Sequence, residues 1–322
     1  MKTILTAAAF ACVASASFAD TLTLYTSQPN ADAQKTVDAF MAANPGTEVE
    51  WVRDGTTKLM ARLRAEIEAG NPQPDVLLIA DTVTLEGMAQ EGLLTAYQSP
   101  EATAYDPALY SADGFYHSTK LITTGIVYNT GADQIPTSWA DLKDASLKGQ
   151  IAMPSPLYSG AALIHLATLT GDASLGWDFY NELATNEARA KGGNGGTFKA
   201  VAAGEKPYGM VVDFLAIRNK AEGSPVDFVF PEEGVSYVTE PVAILSTAKN
   251  VEGAQKFVDF LLSQKGQSLV LDMGYIPARG DMGVPAGFPA RDDIKLMAFD
   301  PAVALQNAEA NKAKFADIFG AN

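Results

Sequence analysis

The sequence predicts an α/β protein of two lobes joined by two crossover hinge strands. Apolar strand-like runs alternate with amphipathic helix-like segments along most of the chain, as in parallel α/β sheets. Two longer apolar runs, 121–129 and 237–245, interrupt this alternation where the chain can pass from one lobe to the other. A chain of 322 residues with 47% hydrophobic residues is large enough for two cores.

The first lobe is predicted to comprise residues 20–123 and 241–281. Its strands are expected at three short apolar or alternating runs, Thr21–Tyr25, Val49–Val52 and Asp75–Ile79. Two amphipathic helices lie between them, the first ending at Asn44-Pro45-Gly46 and the second opening at Asp54-Gly55. Parallel strands of this kind bring the polar residues after their carboxyl ends to one edge of the sheet.

The second lobe is predicted to comprise residues 124–240 and 282–322. Its strands are expected at Leu121–Asn129, Lys148–Met153, Tyr208–Val212 and Val226–Phe230. Helices are expected after Ser159 and from Asn194 to Gly204, and the tail from Ala290 to Ile318 is expected to be mostly helical. Gly125 lies in the middle of the first of these strands, which is therefore a candidate hinge strand.

Residues 1–19 have the pattern of a secretory signal peptide. Lys2 precedes an apolar run from Ile4 to Ala16, and Ser17-Phe18-Ala19 is a small-x-small cleavage site. We therefore expect export to the periplasm. Cys12 is the one cysteine of the sequence and lies in this segment, so the mature chain offers no disulfide, no cysteine ligand and no cysteine nucleophile.

The charge of the chain excludes one class of partner. The formal net charge is −15, and no basic stripe is present, so we expect no nucleic-acid partner. After the signal segment no apolar run reaches the length of a membrane span. We expect a monomer that binds a small molecule.

The segment Ser159-Gly160-Ala161 predicts an anion site. Ser is a favoured N-cap, Gly permits close approach, and an apolar helical run follows at once. The first amides of a helix have no intrahelical acceptor and lie at the positive end of its dipole, so they bind phosphate, phosphonate, sulfate or carboxylate. The alternative interpretation is an ordinary capped helix.

The order of several short motifs resembles a known family over nearly the whole mature chain. Each motif is weak alone, but their order and spacing resemble family 1 extracellular solute-binding proteins of ABC importers, in the branch that includes ferric-iron-binding proteins. The motifs are Trp139-Ala140-Asp141-Leu142, Lys148-Gly149-Gln150-Ile151, Ser159-Gly160-Ala161, Gly204-Glu205, Pro231-Glu232-Glu233-Gly234 and the segment from Ala248-Lys249-Asn250 to Leu262-Ser263.

This resemblance implies a type II periplasmic binding protein fold, with the ligand in a cleft between the lobes. It implies a transport receptor with no catalytic residues and no cofactor, and an ABC permease of the inner membrane as partner. In the ferric branch a pair of tyrosines after the strand matching Tyr208–Val212 holds the metal. Here that place reads Asp213-Phe214-Leu215, which offers no tyrosine, so no metal ligands are predicted.

The resemblance also implies an anion site, because relatives bind a phosphate beside the metal at the Ser-Gly-Ala helix start, and this sequence has the matching residues. We expect the anion to bind at Ser27, Thr56, Thr57, Ser159, Gly160 and Ala161. An ammonium or polar end of the ligand is expected at Asp81, Asp213, Glu240, Phe214 and Tyr237. A small organophosphonate such as 2-aminoethylphosphonate fits both halves.

Other functions stay open at this point. A receptor for a hexose phosphate or another organophosphate is the nearest alternative, and a ferric-iron-binding protein is a further one. A periplasmic hydrolase is disfavoured, because the sequence has no Gly-x-Ser-x-Gly elbow, no cluster of histidines and no thiol in the mature chain. A role as the ligand-binding partner of a chemoreceptor is compatible with the same fold.

Overall fold

The computed structural model describes residues 20–320, and the predicted signal peptide lies outside the described residues. In this range the strands are β1 (Asp20–Thr26), β2 (Thr47–Arg53), β3 (Val76–Leu78), β4 (Leu94–Thr95), β5 (Lys120–Asn129), β6 (Ile151–Met153), β7 (Arg189–Ala190), β8 (Tyr208–Val212), β9 (Val226–Val229), β10 (Ser236–Val238), β11 (Val242–Leu245) and β12 (Ile276–Pro277). The α-helices are α1 (Asn30–Ala43), α2 (Thr56–Glu68), α3 (Thr82–Gln90), α4 (Gly160–Gly171), α5 (Gly176–Thr185), α6 (Asn194–Ala202), α7 (Asp213–Ala221), α8 (Val251–Leu262), α9 (Gln264–Asp272) and α10 (Pro301–Phe319). Short 3-10 helices occur at Pro100–Ala104, Pro107–Leu109, Ala140–Lys143, Ala145–Leu147 and Arg291–Asp293.

The first lobe is built on a five-stranded sheet with the spatial order β2-β1-β3-β11-β4. Strand β1 runs parallel to β2 and β3, whereas β11 is antiparallel to its neighbours. On β1, Leu24 packs in the cluster that includes Phe40 of α1 and Phe257 of α8, and Tyr25 packs with Leu59 of α2 on the opposite face. Both faces of this sheet are therefore covered by helices, which explains its apolar strands.

The second lobe is built on a seven-stranded sheet with the path β10-β5-β8-β6-β7. Strand β5 is its longest, and it also pairs with β9 and β12. The core of this lobe packs around Trp139, which is fully buried and lies against Phe179 of α5 with a ring-centroid distance of 6.4 Å. The two predicted α/β lobes are therefore confirmed.

The two crossings between the lobes differ in detail from the sequence prediction. All partners of β5 belong to the second sheet, so the chain passes between the sheets just before it, where His117 and Val242 exchange backbone hydrogen bonds of 3.0 and 2.9 Å. The apolar run 237–245 does return to the first sheet, but as two strands, β10 and β11. Between them Glu240 adopts a left-handed conformation with φ 39°, which ends one strand and turns the chain towards the other sheet.

The tail is mostly helical, as predicted, and its long helix begins at Pro301 and contacts both lobes. Before it, the amide of Met297 donates to Val235 O at 2.9 Å, which joins residues 290–300 to the second lobe. Helix α10 then packs against α3 of the first lobe and against α4 and α5 of the second. None of the helices in residues 20–320 has the length and hydrophobicity that crossing a bilayer requires.

Candidate functional site

A cavity of about 250 Å³ lies between the lobes, where the ends of strands from both sheets meet. Ser27 follows β1, Arg53 ends β2 and Ala80 follows β3, so these three residues line it from the first lobe. The second lobe contributes the beginnings of α4 and α6 and the end of β8. The polar side chains of the lining are Ser27, Arg53, Thr56, Tyr158, Ser159, Asn194 and Glu240.

The start of α4 presents free amides to this cavity. Ser159 is the N-cap, and its Oγ accepts a hydrogen bond of 3.3 Å from the amide of Ala162. The amides of Gly160 and Ala161 precede the first intrahelical donor, Leu163, and have no acceptor within the helix. The predicted cap and helix start are confirmed, and Ala161 lies in the wall of the cavity.

Two more helices begin at the same cavity. Helix α6 starts after Gly193 without a side-chain cap, and Gly195 and Gly196 of its first turn line the wall. Helix α2 of the first lobe also starts without a side-chain cap, at Thr56. Because the start of a helix carries a partial positive charge whether or not a side chain caps it, the dipoles of α2, α4 and α6 all favour an anion here.

Asn194 fixes the two helix starts of the second lobe relative to each other. Its Nδ2 donates to Ser159 Oγ at 3.2 Å, and its Oδ1 accepts from the amide of Val212 at 3.1 Å. Across the cavity Ser27 Oγ accepts from the amide of Ala80 at 2.9 Å, which leaves its hydroxyl hydrogen free to donate. The side chains thus hold a set of donors in place around the same space.

Arg53 adds a full positive charge to the cavity wall. Its Nε donates to the carbonyl of Gln28 at 2.8 Å, and its Nη2 and Nη1 lie 3.5 Å from Ser27 O and Tyr158 Oη. No ion pair formed within residues 20–320 includes this guanidinium. A cation without a carboxylate partner at a cavity wall is suited to bind an anionic ligand.

Glu240 lines the cavity at the hinge between β10 and β11 and is paired. Its Oε2 contacts Lys120 Nζ at 2.5 Å and accepts from Gln28 Nε2 at 3.2 Å. Burial raises the pKa of Glu240, while the ammonium of Lys120 acts in the other direction. Both contacts end on Oε2, so Oε1 remains for a donor in the cavity.

Another part of the cavity wall is apolar. Phe214 and Leu215 both line it, together with Ile122, Val212 and Val238. Phe214 packs on Tyr275 with a ring-centroid distance of 4.3 Å, which joins this wall to the hinge. Such a wall accepts a short hydrocarbon stem but offers few partners to hydroxyl groups.

The structure places six of the predicted site residues in the lining: Ser27, Thr56, Ser159, Ala161, Phe214 and Glu240. Gly160 instead faces the first lobe, where a Cβ would lie 2.8 Å from the carbonyl oxygen of Ala80. Thr57 also joins the lobes, because its amide donates to Tyr158 O at 3.2 Å.

Three predicted polar-end residues lie elsewhere. Asp81 caps α3 by accepting from the amide of Thr84 at 3.0 Å, and Asp213 accepts from the amide and hydroxyl of Thr123, each at 2.8 Å. Burial raises the pKa of both carboxyls, that of Asp213 to about 7. Tyr237 lines a separate cavity behind the hinge.

Arg53, Tyr158 and Asn194 line the cavity but were not among the predicted site residues. Arg53 reads as the exposed end of a strand, and Tyr158 as part of a turn. A signal for Asn194 was present, because Asn194-Gly195-Gly196 is a second polar, glycine-rich helix start like that at Ser159. The described residues contain no group of three or more His, Cys, Asp or Glu residues placed to hold a metal ion.

Comparisons with known proteins agree with this architecture. The sequence profile of the bacterial extracellular solute-binding protein family matches residues 25–268. An uncharacterized protein of Haemophilus influenzae is 30% identical over 289 residues, which are 85% of this chain and 82% of that protein. A putative 2-aminoethylphosphonate-binding periplasmic protein of Salmonella typhimurium is 26% identical over 262 residues, 76% of this chain and 73% of that protein.

Among solved structures, the periplasmic binding protein AfuA from Actinobacillus pleuropneumoniae, with exogenous fructose 6-phosphate bound, has the same fold. It superposes with a TM-score of 0.85 at 24% sequence identity, over 94% of this chain and 99% of that one. The profile match covers most of the chain, and the two lobes enclose a ligand-sized cavity. This chain therefore belongs to the bacterial extracellular solute-binding protein family.

Proposed function

We propose that this protein is the periplasmic receptor of an ABC importer for a small aminoalkylphosphonate, with 2-aminoethylphosphonate as the representative ligand. The observation that carries the proposal is the unpaired guanidinium of Arg53 facing the starts of α4 and α6 across the cavity. A tetrahedral oxyanion between them accepts hydrogen bonds from both lobes at once. Binding then favours the closed arrangement of the lobes.

The anion end matches a phosphonate or phosphate group. Such a group has three acceptor oxygens, and the cavity supplies donors on three sides: the amide of Ala161 at the start of α4, the hydroxyls of Ser27 and Thr56, and Arg53. A carboxylate has two acceptor oxygens and leaves part of this set without a partner, which costs free energy in a closed site.

The hinge end matches one ammonium group on a short stem. The apolar wall accommodates the stem, and Oε1 of Glu240 is the acceptor for the amine. Hexose phosphates carry several hydroxyl groups, each of which needs a polar partner when it is buried, and the wall formed by Phe214 and Leu215 provides none from its side chains. This observation favours a phosphonate with one amine over a sugar phosphate.

The charges of the cavity support the same choice. Lys120 neutralises Glu240, so Arg53 supplies the net charge of the lining within the described residues. A phosphonate carries a charge close to −2, as a phosphate group does, and an ammonium carries +1, so the zwitterion brings about −1. Together with Arg53 the closed cavity is then neutral, whereas a hexose phosphate leaves an excess negative charge.

The name of one relative agrees with this ligand. A relative at 26% identity is named a putative 2-aminoethylphosphonate-binding protein. Ferric iron is less suited, because Fe³⁺ prefers several anionic oxygen ligands, and of the described lining side chains Glu240 and the phenol of Tyr158 are the candidates. We propose a monomeric receptor that hands its ligand unchanged to an inner-membrane permease.

Calorimetric titration of the mature protein tests the ligand. We expect 2-aminoethylphosphonate to bind more tightly than ethylphosphonate, which lacks the amine, and more tightly than fructose 6-phosphate or Fe³⁺. Tighter binding of fructose 6-phosphate or iron contradicts the proposal. Phosphorus NMR of the ligand after incubation checks for turnover, and new products would indicate an enzyme.

A pair of variants tests the amine contact. Glu240→Gln should lower the preference for 2-aminoethylphosphonate over ethylphosphonate about tenfold, because the amine loses its charged partner. Asp213→Asn is the matched control, since Asp213 is buried against Thr123 and does not line the cavity. An equal change of preference in both variants would refute the role of Glu240.

A further inference from the structure

Tyr158 is an aromatic lining residue of the cavity that contacts both lobes. Tyr158 precedes α4 in a tight turn fixed by the hydrogen bond from its amide to Ser155 O at 3.1 Å. Its carbonyl accepts from the amide of Thr57 in the first lobe at 3.2 Å, and its hydroxyl lies 3.5 Å from Arg53 Nη1. The ammonium of Lys58 lies 5.5 Å from the centre of its ring. Tyr158 thus belongs to the second lobe but contacts the first through its carbonyl, its ring and its hydroxyl.

Two glycines make room for this ring. A Cβ at Gly55 of the first lobe would lie 2.5 Å from both Tyr158 Cε1 and Tyr158 O. A Cβ at Gly193 of the second lobe would lie 2.9 Å from Cε1 and 3.1 Å from Cδ1 of the same ring. Neither glycine has a positive φ, so close approach to Tyr158, rather than backbone conformation, explains the absence of a side chain.

We propose that the ring of Tyr158 is the gate of the binding site: it seats between Gly55 and Gly193 when the lobes close and keeps the bound anion from leaving. This inference rests on the proposed function. When the lobes part, the ring leaves Gly55 and the contact with Thr57 breaks, so the same motion opens the anion end to water. The gate therefore acts on the dissociation rate, because the ligand enters while the lobes are apart.

The ring and the hydroxyl have separable roles. The distance from the hydroxyl to Arg53 is 3.5 Å, which makes a weak hydrogen bond. The ring makes the close contacts with both glycines. Tyr158→Phe should therefore keep the gate, with a dissociation rate within about threefold of the wild type, whereas Tyr158→Ala should raise that rate at least about tenfold and change the association rate less than about threefold.

A double-mutant cycle with Gly193 isolates the ring. Among the described residues, a methyl group at position 193 would have the Tyr158 ring as its near neighbour. Gly193→Ala should therefore speed ligand dissociation about threefold or more when Tyr158 is present. It should have no effect on dissociation when Tyr158 is replaced by Ala. Gly283→Ala is the matched control, because a Cβ there meets nothing within 4 Å. Circular dichroism of each variant verifies that it folds.

Stopped-flow kinetics with 2-aminoethylphosphonate distinguishes the outcomes. If the wild-type protein does not bind this ligand, the proposed function fails and the inference fails with it. If the wild type binds and Tyr158→Ala dissociates at the wild-type rate, the gate alone is refuted. A loss confined to the association rate, or additive effects of Gly193→Ala and Tyr158→Ala, would also refute it.

Discussion

Arg218 of α7 and Asp32 of α1 form a two-point ion pair that joins the second lobe to the first. The guanidinium donates to both carboxylate oxygens of Asp32, at 2.9 and 3.1 Å. Tyr275 donates to the same carboxylate at 2.5 Å. The guanidinium also lies 5.0 Å from the ring centre of Phe214, so the pair is placed directly behind the apolar wall of the cavity.

Arg218→Met should destabilise the protein. Asp32 is 2% exposed at its side chain and would keep Tyr275 as its remaining partner, whereas Arg218 is 25% exposed. Removing one partner of a fully buried pair costs about 3–5 kcal/mol, so we expect a loss of about 2–3 kcal/mol in the free energy of unfolding. Urea denaturation measures it. Asp32→Asn combined with Arg218→Met should recover part of the loss, and an unchanged single variant would show that the pair contributes nothing.

Gly160→Ala should prevent full closure of the lobes. A Cβ at this position lies 2.8 Å from Ala80 O and 2.9 Å from Thr56 Oγ1, both in the first lobe. We expect at least a tenfold weaker affinity for 2-aminoethylphosphonate, about 1.4 kcal/mol. The melting temperature should not fall, since Ala stabilises a helix relative to Gly.

Gly171→Ala is the control for this substitution, because Gly171 ends the same helix and a Cβ there has open space. Calorimetry gives the affinities, and small-angle scattering gives the radius of gyration with saturating ligand. If the Gly160→Ala protein shows the wild-type affinity and the wild-type decrease in radius of gyration on binding, Gly160 does not contact the first lobe in the closed protein.

Arg53→Ala should weaken binding of any phosphonate or phosphate ligand. Charge-assisted hydrogen bonds contribute about 1.5–3 kcal/mol, which corresponds to a dissociation constant about 10 to 100 times higher. The affinity of Arg53→Lys should lie between those of the wild type and Arg53→Ala, because lysine keeps the positive charge but lacks the planar guanidinium. Arg62→Ala is the control, since Arg62 pairs with Glu66 at 2.8 Å and lies outside the lining. Equal affinities for Arg53→Ala and the wild type would exclude Arg53 from the site.

His165 should make the protein less stable at acidic pH. Its Nδ1 is bonded to Ser236 Oγ at 2.8 Å, and burial lowers its pKa from 6.5 to about 3. Below pH 6.5 the unfolded chain therefore takes up a proton that the folded chain does not, and stability falls as the pH falls towards 3. This group contributes about 3 kcal/mol of loss between pH 7 and pH 4.

The variant His165→Phe checks this contribution. Phenylalanine does not titrate and can pack against Trp139, whose ring centre lies 4.9 Å from that of His165. Whatever its stability at pH 7, the variant should lose about 3 kcal/mol less than the wild type when the pH is lowered to 4, as measured by urea denaturation. Parallel losses in the two proteins would show that His165 does not set the pH dependence.

Most of the fold follows from local patterns in the sequence. Strand β1 and helix α1 are marked by periods of two and 3.6 residues, and Asn44-Pro45-Gly46 ends the helix where the structure ends it. The start of α4 was predictable for the same reason, because Ser159 and Gly160 act through backbone chemistry that needs no distant partner.

The polar end of the site was less predictable, because it depends on contacts between lobes. Alternation along β10 places Tyr237 and Val238 on opposite faces, but the sequence does not say which face meets the cavity, and the structure places Val238 there. Asp81 and Asp213 each follow an apolar strand, and their backbone and hydroxyl partners remove them from the cavity. Arg53 meets Tyr158 of the other lobe, 105 positions away in the chain, and a local sequence pattern does not reveal such a contact.

Helix α10 packs against both lobes. Near its beginning Leu305 approaches Gly87 of α3, where a Cβ would lie 3.1 Å from Leu305 Cδ1, and near its end Phe315 packs on Tyr180 of α5 with a ring-centroid distance of 6.2 Å. One end of this helix must therefore lose its packing whenever the lobes separate. Amide hydrogen exchange along residues 301–319 should therefore report whether ligand is bound, with slow exchange in the liganded protein and faster exchange in the ligand-free one.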